Sequence, residues 1–98
     1  MVELIDLFLR DTPVKIQDLQ SAIARSDAPA LKESAHGLKG SASNLGARRL
    51  ARLCADLEKR SEAGALAEAA ELFAQVTEEY ARVCFILEQE KRKPIDSK

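Results

Sequence analysis

The sequence is poor in the residue types that most often build catalytic and metal sites. Its 98 residues include one histidine, two cysteines, one tyrosine and no tryptophan. One histidine and the two distant cysteines, Cys54 and Cys84, are too few for a zinc site. Both cysteines fall on apolar faces of predicted helices, so we expect small buried thiols in a reduced, cytoplasmic protein.

The chain also lacks a charge excess and a long apolar run. Fifteen basic residues against 16 acidic ones give a formal net charge of −1, which argues against a nucleic-acid-binding protein. No apolar run approaches the roughly 18 residues of a membrane span. The first residues have neither the basic start nor the cleavage signal of a secreted protein. We therefore expect no contact between this domain and nucleic acid or a membrane.

Periodic apolar residues predict helices along the whole chain. Aromatic residues make up only 4 % of the sequence, whereas Ala, Leu, Glu, Lys and Arg are abundant, a composition that favours helix. Apolar positions recur every three or four residues. This spacing predicts five helices, over residues 2–10, 13–26, 28–44, 47–61 and 65–91. We find no strand pattern, internal repeat or low-complexity segment.

Turn and capping residues separate these helices. Thr12 is a good N-cap and Pro13 suits a first helical position, so we expect a break between the first two helices. Gly46 is expected to end the third helix. Because short connections force neighbouring helices to run antiparallel, the sequence predicts an all-α fold, an up-down antiparallel four-helix bundle with a short N-terminal extra helix. The bundle would span residues 1–92, and residues 93–98 would form a disordered tail.

The only histidine, His36, points away from the predicted core. The apolar seam of the third helix consists of Leu31, Ala35, Leu38, Ala42 and Leu45. At about 100° per residue, His36 lies on the outer side of that helix, with Gly40 and Ser43. Gly40 costs about 1 kcal/mol relative to alanine inside a helix but leaves room for a bulky partner beside the imidazole, and Gly37 is a second such glycine. Lys39, at the flank, would stabilise an anion on the ring, such as a phosphoryl group.

Glu58 of the next predicted helix lies near the height of His36. If the two helices are antiparallel about Gly46, the Glu58 carboxylate is close enough to accept a hydrogen bond from an imidazole N–H and fix its tautomer. A solvated helix charge explains Glu58 equally well. The same comparison of heights along the bundle axis predicts that Ile5 and Phe8 lie near the height of His36.

The stretch from His36 to Gly46, H-G-L-K-G-S-A-S-N-L-G, resembles the H-x-[LI]-K-G-[SA]-[SA]-x-x-[LFV]-G signature of histidine-containing phosphotransfer (HPt) domains. Residues 49–58, R-L-A-R-L-C-A-D-L-E, resemble the following helix of that family, and the resemblance covers nearly the whole chain. It implies that His36 accepts a phosphoryl group at Nε2. It also implies that Lys39 neutralises charge on the phosphoryl group and that Gly40 leaves space for the active site of the partner. Ser43 would form a hydrogen bond near the phosphoryl group. Glu58 would contact the imidazole, at a position where relatives often carry Gln.

The resemblance also implies partners. Response-regulator receiver domains would donate and accept the phosphoryl group, and they would supply the Mg²⁺ for the transfer. The sequence has no G-x-x-x-x-G-K-[ST] loop, so we expect no ATP site, no cofactor of its own and no independent enzymatic activity. Candidate partner contacts are Phe8, Leu9, Lys32 and Lys39, and we expect a monomer.

Parts of the sequence also fit other functions. The pair Glu33 and His36 has the spacing of di-iron bundles, but such a site needs a second pair and two more glutamates. Sensor-kinase dimerisation domains carry an acid after their histidine, where this chain has Gly37. The phosphoacceptor domain of a chemotaxis-type kinase shares the H-x-x-K-G pattern and remains an alternative, as does a non-catalytic helical adaptor. The sequence also leaves open whether the domain is freestanding or part of a hybrid sensor kinase.

Overall fold

Four helices make up the protein, which is represented by a computed structural model that describes residues 2–92. They are α1 (Val2–Ala24), α2 (Ala28–Leu45), α3 (Arg48–Glu62) and α4 (Leu66–Arg92). Consecutive helices pack against each other, and α4 also contacts α1, which closes the ring of four. The predicted antiparallel four-helix bundle is confirmed, and the expected tail over residues 93–98 lies outside the described residues.

Local capping fixes where α2 begins and ends. The side chain of Asp27 accepts a hydrogen bond from the backbone N–H of Ala30 at 3.1 Å, which satisfies a free donor of the first turn. Gly46 follows the helix with a φ of 78°, a left-handed conformation that favours glycine, and its N–H donates to the carbonyl of Ser43 at 3.0 Å. These two ends set the length of α2.

The core lies between the inner faces of all four helices. On α2 it contains Leu31, Ala35, Leu38 and Ala42, and on the other helices Leu19, Leu50, Cys54, Leu57, Ala69 and Val76, all without solvent exposure. Burial raises the pKa of the Cys54 thiol to about 12, although the charge of Lys39 opposes this shift, so Cys54 is an inert, protonated core residue. Cys84 is half-buried, and burial raises the pKa of its thiol as well.

None of the four described helices has an apolar stretch long enough to cross a membrane.

The predicted break between the first two helices is wrong. α1 runs without interruption through Pro13. Thr12 is a buried residue of the helix rather than its N-cap: its hydroxyl donates to the carbonyl of Phe8 and lies 2.9 Å from the hydroxyl of Tyr80 on α4. The rings of Phe8 and Tyr80 also pack together, with centroids 6.0 Å apart. The N-terminal extra helix is therefore the first part of α1.

The apolar stripe of α1 explains this continuity. Ile5, Phe8, Thr12 and Leu19 are all buried and recur at helical spacing across the expected turn. Pro13 removes one backbone donor, but it lies on the exposed side, where water can bond the carbonyl that loses its partner. Keeping one helix thus buries a continuous stripe at the loss of a single hydrogen bond.

Candidate functional site

His36 lies in the middle of α2 on the face opposite the core. Its side chain is 67 % exposed, whereas Ala35 and Leu38 beside it are fully buried. The ring nitrogen Nδ1 is 3.1 Å from Oε2 of Glu58 on α3. Because Nδ1 faces α3, Nε2 lies on the exposed side of the ring.

Glu58 joins the imidazole to Lys39. Its second carboxylate oxygen, Oε1, is 3.2 Å from Nζ of Lys39, and only 17 % of its side chain is exposed. Partial burial raises the pKa of the Glu58 carboxyl, but the hydrogen bonds and charges of Lys39 and His36 outweigh burial and hold that pKa below its usual range. Glu58 is therefore ionised at neutral pH, and an ionised carboxylate accepts the Nδ1–H of the neutral ring. That tautomer has its free lone pair on Nε2.

Two glycines, Gly37 and Gly40, follow His36 within α2, and packing within the bundle requires neither. A Cβ added to Gly40 would meet no atom within 4 Å. One added to Gly37 would meet Cε of Lys15 at 3.6 Å, an ordinary contact. Glycine destabilises a helix interior relative to alanine, and no contact within the bundle accounts for these two glycines.

The structure does not bring Ser43 to the imidazole. Ser43 shares the exposed side of α2, but it lies seven residues after His36, about 10 Å along the axis. Helical side chains also lean toward the N-terminus, which takes the His36 ring away from Ser43. Lys32, one turn before His36, lies on the same exposed side, and its Nζ forms an ion pair with Glu62 at 2.7 Å.

The predicted position of Phe8 near His36 is wrong. Phe8, like Ile5, is only 4 % exposed and packs in the core, so Phe8 is not available as a partner contact. Phe8 lines a groove with Asn44 and Leu45, at the C-terminal end of α2 rather than beside His36. The unbroken α1 places a later residue, Lys15, next to Gly37.

Sequence reasoning missed the apolar residues that α1 does expose. Leu7 and Val14 are 44 % and 58 % exposed, and their seven-residue spacing places both on one side of α1. Leu7 lines the groove between α1 and α2. Leu9, the expected contact, is half-buried and packs against the core. A helical-wheel projection of one unbroken α1 would have placed Leu7 and Val14 outside the buried stripe.

The described residues do not provide a metal centre. Between residues 2 and 92, no three His, Cys, Asp or Glu side chains are grouped as metal ligands. Glu33 and His36 line the same shallow surface groove, together with Glu58. The arrangement is an exposed imidazole whose Nδ1 contacts one carboxylate.

An antiparallel four-helix bundle that presents one exposed, hydrogen-bonded histidine on its second helix is the arrangement of histidine phosphotransfer domains. The model of the Hpt domain family matches residues 3–85. The chain belongs to this family, and the resemblance drawn from the sequence is confirmed.

A solved structure shows the same fold. The chain is similar to histidine-containing phosphotransfer protein B (HptB) from Pseudomonas aeruginosa PAO1, with a TM-score of 0.90 and 36 % sequence identity, over 95 % of this chain and 82 % of that chain. No curated protein sequence matches. The protein thus takes part in histidine phosphotransfer within a phosphorelay, as a member of a family of carriers that pass phosphoryl groups to response-regulator receivers.

Proposed function

We propose that the protein accepts a phosphoryl group on Nε2 of His36 from the phospho-aspartate of one receiver domain and passes it to the aspartate of another. The observation that carries this proposal is the contact of 3.1 Å between Nδ1 and Glu58, which leaves the lone pair of Nε2 on the exposed side of the ring. A neutral imidazole with this tautomer is a good nucleophile toward phosphorus.

The step is an in-line displacement. The Nε2 lone pair forms a bond to phosphorus while the bond from phosphorus to the aspartyl oxygen breaks, and its electron pair leaves on the carboxylate. Lys39, one turn after His36, is near enough to turn toward the phosphoryl oxygens and balance part of their charge. We propose that the Mg²⁺ for the transfer belongs to the receiver and that this domain is a carrier without an ATP site.

The receiver would dock on the exposed side of α1 and α2. Gly37 and Gly40 would leave space for its active site. The exposed side chains of Leu7 and Val14 on α1 would supply an apolar contact. Leu7 and Val14 replace Phe8 in the docking surface expected from the sequence. Lys32 lies at the other flank of His36 in an ion pair with Glu62. Exchange of that pair for a carboxylate of the receiver would add a charged contact. Such a contact is small and transient, which suits a carrier with two partners.

The proposal applies equally to a freestanding cytoplasmic monomer and to a domain of a hybrid sensor kinase. All the residues that carry it lie within the bundle, so neither arrangement alters the chemistry. The similarity to a protein named as a phosphotransfer protein supports a relay role over that of a chemotaxis-type kinase domain.

A reconstituted relay tests the proposal. A phosphorylated donor receiver, an acceptor receiver and this protein are mixed with Mg²⁺, and label is followed to the acceptor. His36→Gln should abolish transfer with an unchanged helical circular dichroism spectrum. Ser43→Ala, an exposed position on the same side of α2, is the matched control and should transfer normally. Transfer through the His36→Gln protein at the wild-type rate would refute the proposal.

A further inference from the structure

Glu58 places a carboxylate beside the ring nitrogen that is not phosphorylated. Its Oε2 is 3.1 Å from Nδ1 of His36, and its Oε1 is 3.2 Å from Nζ of Lys39. The side chain of Glu58 is 17 % exposed and that of Glu62 is 54 % exposed, so water screens the Glu58 carboxylate less. The tautomer of the resting ring needs only a hydrogen-bond acceptor at this position, so the negative charge requires a further explanation.

Other charged groups surround His36, but they are arranged differently. Charged residues share a surface groove with His36 or Glu58 or lie beside Gly37: Lys32, Glu33 and Lys39 on α2, Glu58, Lys59 and Glu62 on α3, and Lys15 on α1. Glu62 pairs with Lys32 at 2.7 Å. Among the described residues, Glu58 is the acid whose carboxylate contacts the imidazole.

The charge of the ring changes during transfer. When Nε2 bonds to phosphorus and Nδ1 keeps its proton, the ring acquires a positive charge. When an incoming aspartate oxygen attacks phosphorus, the bond between Nε2 and phosphorus breaks, its electron pair returns to Nε2, and a neutral imidazole leaves. If Nδ1 has lost its proton in the meantime, the leaving group is the imidazolate anion, which departs far less readily.

We propose that Glu58 is a positioning residue that keeps the proton on Nδ1 while His36 is phosphorylated, so that the phosphoryl group stays transferable. This inference rests on the proposed function. The carboxylate charge stabilises the positive ring, which a neutral acceptor such as glutamine does not. A phosphoryl group on Nε2 would also attract Lys39 away from Glu58, and this would leave the carboxylate charge to the ring alone.

The pH dependence of onward transfer tests this inference. The wild-type protein, Glu58→Gln and Glu62→Gln are phosphorylated with phosphoramidate, and transfer to a Mg²⁺-loaded receiver is timed at pH values from 6 to 10. Glu62→Gln is the matched control, because it removes a carboxylate one turn along α3 that pairs with Lys32 instead of His36. The receiver is also phosphorylated directly at each pH, which corrects for its own titration.

The expected result is a shift in the pH at which transfer falls by half. Loss of one nearby opposite charge lowers this midpoint by about one pH unit in Glu58→Gln, with transfer about tenfold slower at the alkaline end. Glu62→Gln should follow the wild type. The ¹⁵N shift of Nδ1 in the phosphorylated proteins should show the proton lost over the same pH range in each variant.

Three outcomes would overturn the inference. One is the same midpoint in Glu58→Gln and wild type, and another is an equal shift in Glu62→Gln. The third is disappearance of the Glu58→Gln shift in a Lys39→Met background, which would assign it to a released Lys39. If the wild-type protein takes no phosphoryl group on His36, the proposed function fails and the inference fails with it.

Discussion

The two faces of α2 differ in what they contribute. The inner face carries Leu31, Ala35, Leu38 and Ala42, all without solvent exposure. The outer face carries His36, with 67 % of its side chain exposed, and Gly40, beside which an added Cβ would find open space. One helix of 18 residues thus packs in the core on one side and presents an exposed imidazole on the other. Substitutions should therefore affect either stability or transfer, according to the face.

Two glycines make α2 less stable than alanine at the same positions would. Gly37 and Gly40 each cost the helix about 1 kcal/mol relative to alanine, and neither is needed for packing in the bundle. The buried inner face offsets that loss. This difference between the faces makes the following substitutions informative.

The largest effect should come from the inner face. Leu38→Ala leaves a cavity among fully buried residues and should lower the free energy of unfolding by about 2–5 kcal/mol, as measured by urea denaturation. Ser43→Ala on the outer face should change it by no more than about 0.5 kcal/mol. Equal losses from the two substitutions would contradict the division between the faces.

Lys39→Ala should affect transfer while leaving the fold intact. Loss of a charged hydrogen bond to the phosphoryl group removes about 1.5 kcal/mol, which corresponds to a transfer rate or phosphohistidine half-life about tenfold lower. Labelled phosphoprotein and circular dichroism provide the two measurements. An unchanged rate and half-life would remove Lys39 from the mechanism.

Gly40→Ala should raise the stability of the protein and slow phosphoryl transfer. The added methyl group enters open space, so the free energy of unfolding should rise by about 1 kcal/mol. Transfer from a receiver should slow, because the same methyl group occupies the space for the partner. A variant that is more stable and transfers at the wild-type rate would show that this space is not used.

The smallest effect should be a pH dependence of stability from Glu58. Partial burial raises the pKa of its carboxyl, but Lys39 and His36 outweigh this and lower it below the usual value near 4.3. A lowered folded pKa means that the contribution is fully present above that usual value and is lost as pH falls through the folded pKa. Partly exposed ion pairs contribute about 0.2–1 kcal/mol. Urea denaturation from pH 7 to pH 3 should therefore show a smaller acid loss in Glu58→Gln than in wild type, and parallel curves would contradict this.

The same contrast explains what the sequence could predict. The orientation of His36 follows from the local spacing of Leu38 and its neighbours, and the level of Glu58 follows from the short turn at Gly46, so both could be placed without a structure. The position of Thr12 inside α1 could not be predicted, because its buried hydroxyl contacts Tyr80, 68 residues away along the chain. Local turn signals at Thr12 and Pro13 were outweighed by that long-range packing.

The errors about partner contacts have the same origin. Because the sequence predicted a break in α1, Phe8 was expected close to the site, and the exposure of Leu7 was not predicted. The link between Lys39 and Glu58 depends on side-chain rotamers on two different helices. Periodicity identifies the face of a helix on which a residue lies, but it does not specify such rotamers.

The most direct test of the central claim is to locate the phosphoryl group. The protein is incubated with a phosphorylated receiver and Mg²⁺, digested with trypsin at alkaline pH and analysed by mass spectrometry. Because the chain has a single histidine, the account predicts one acid-labile phosphoryl group, on the peptide of residues 33–39 that contains His36. A phosphoryl group on any other peptide, or none on this one, would contradict it.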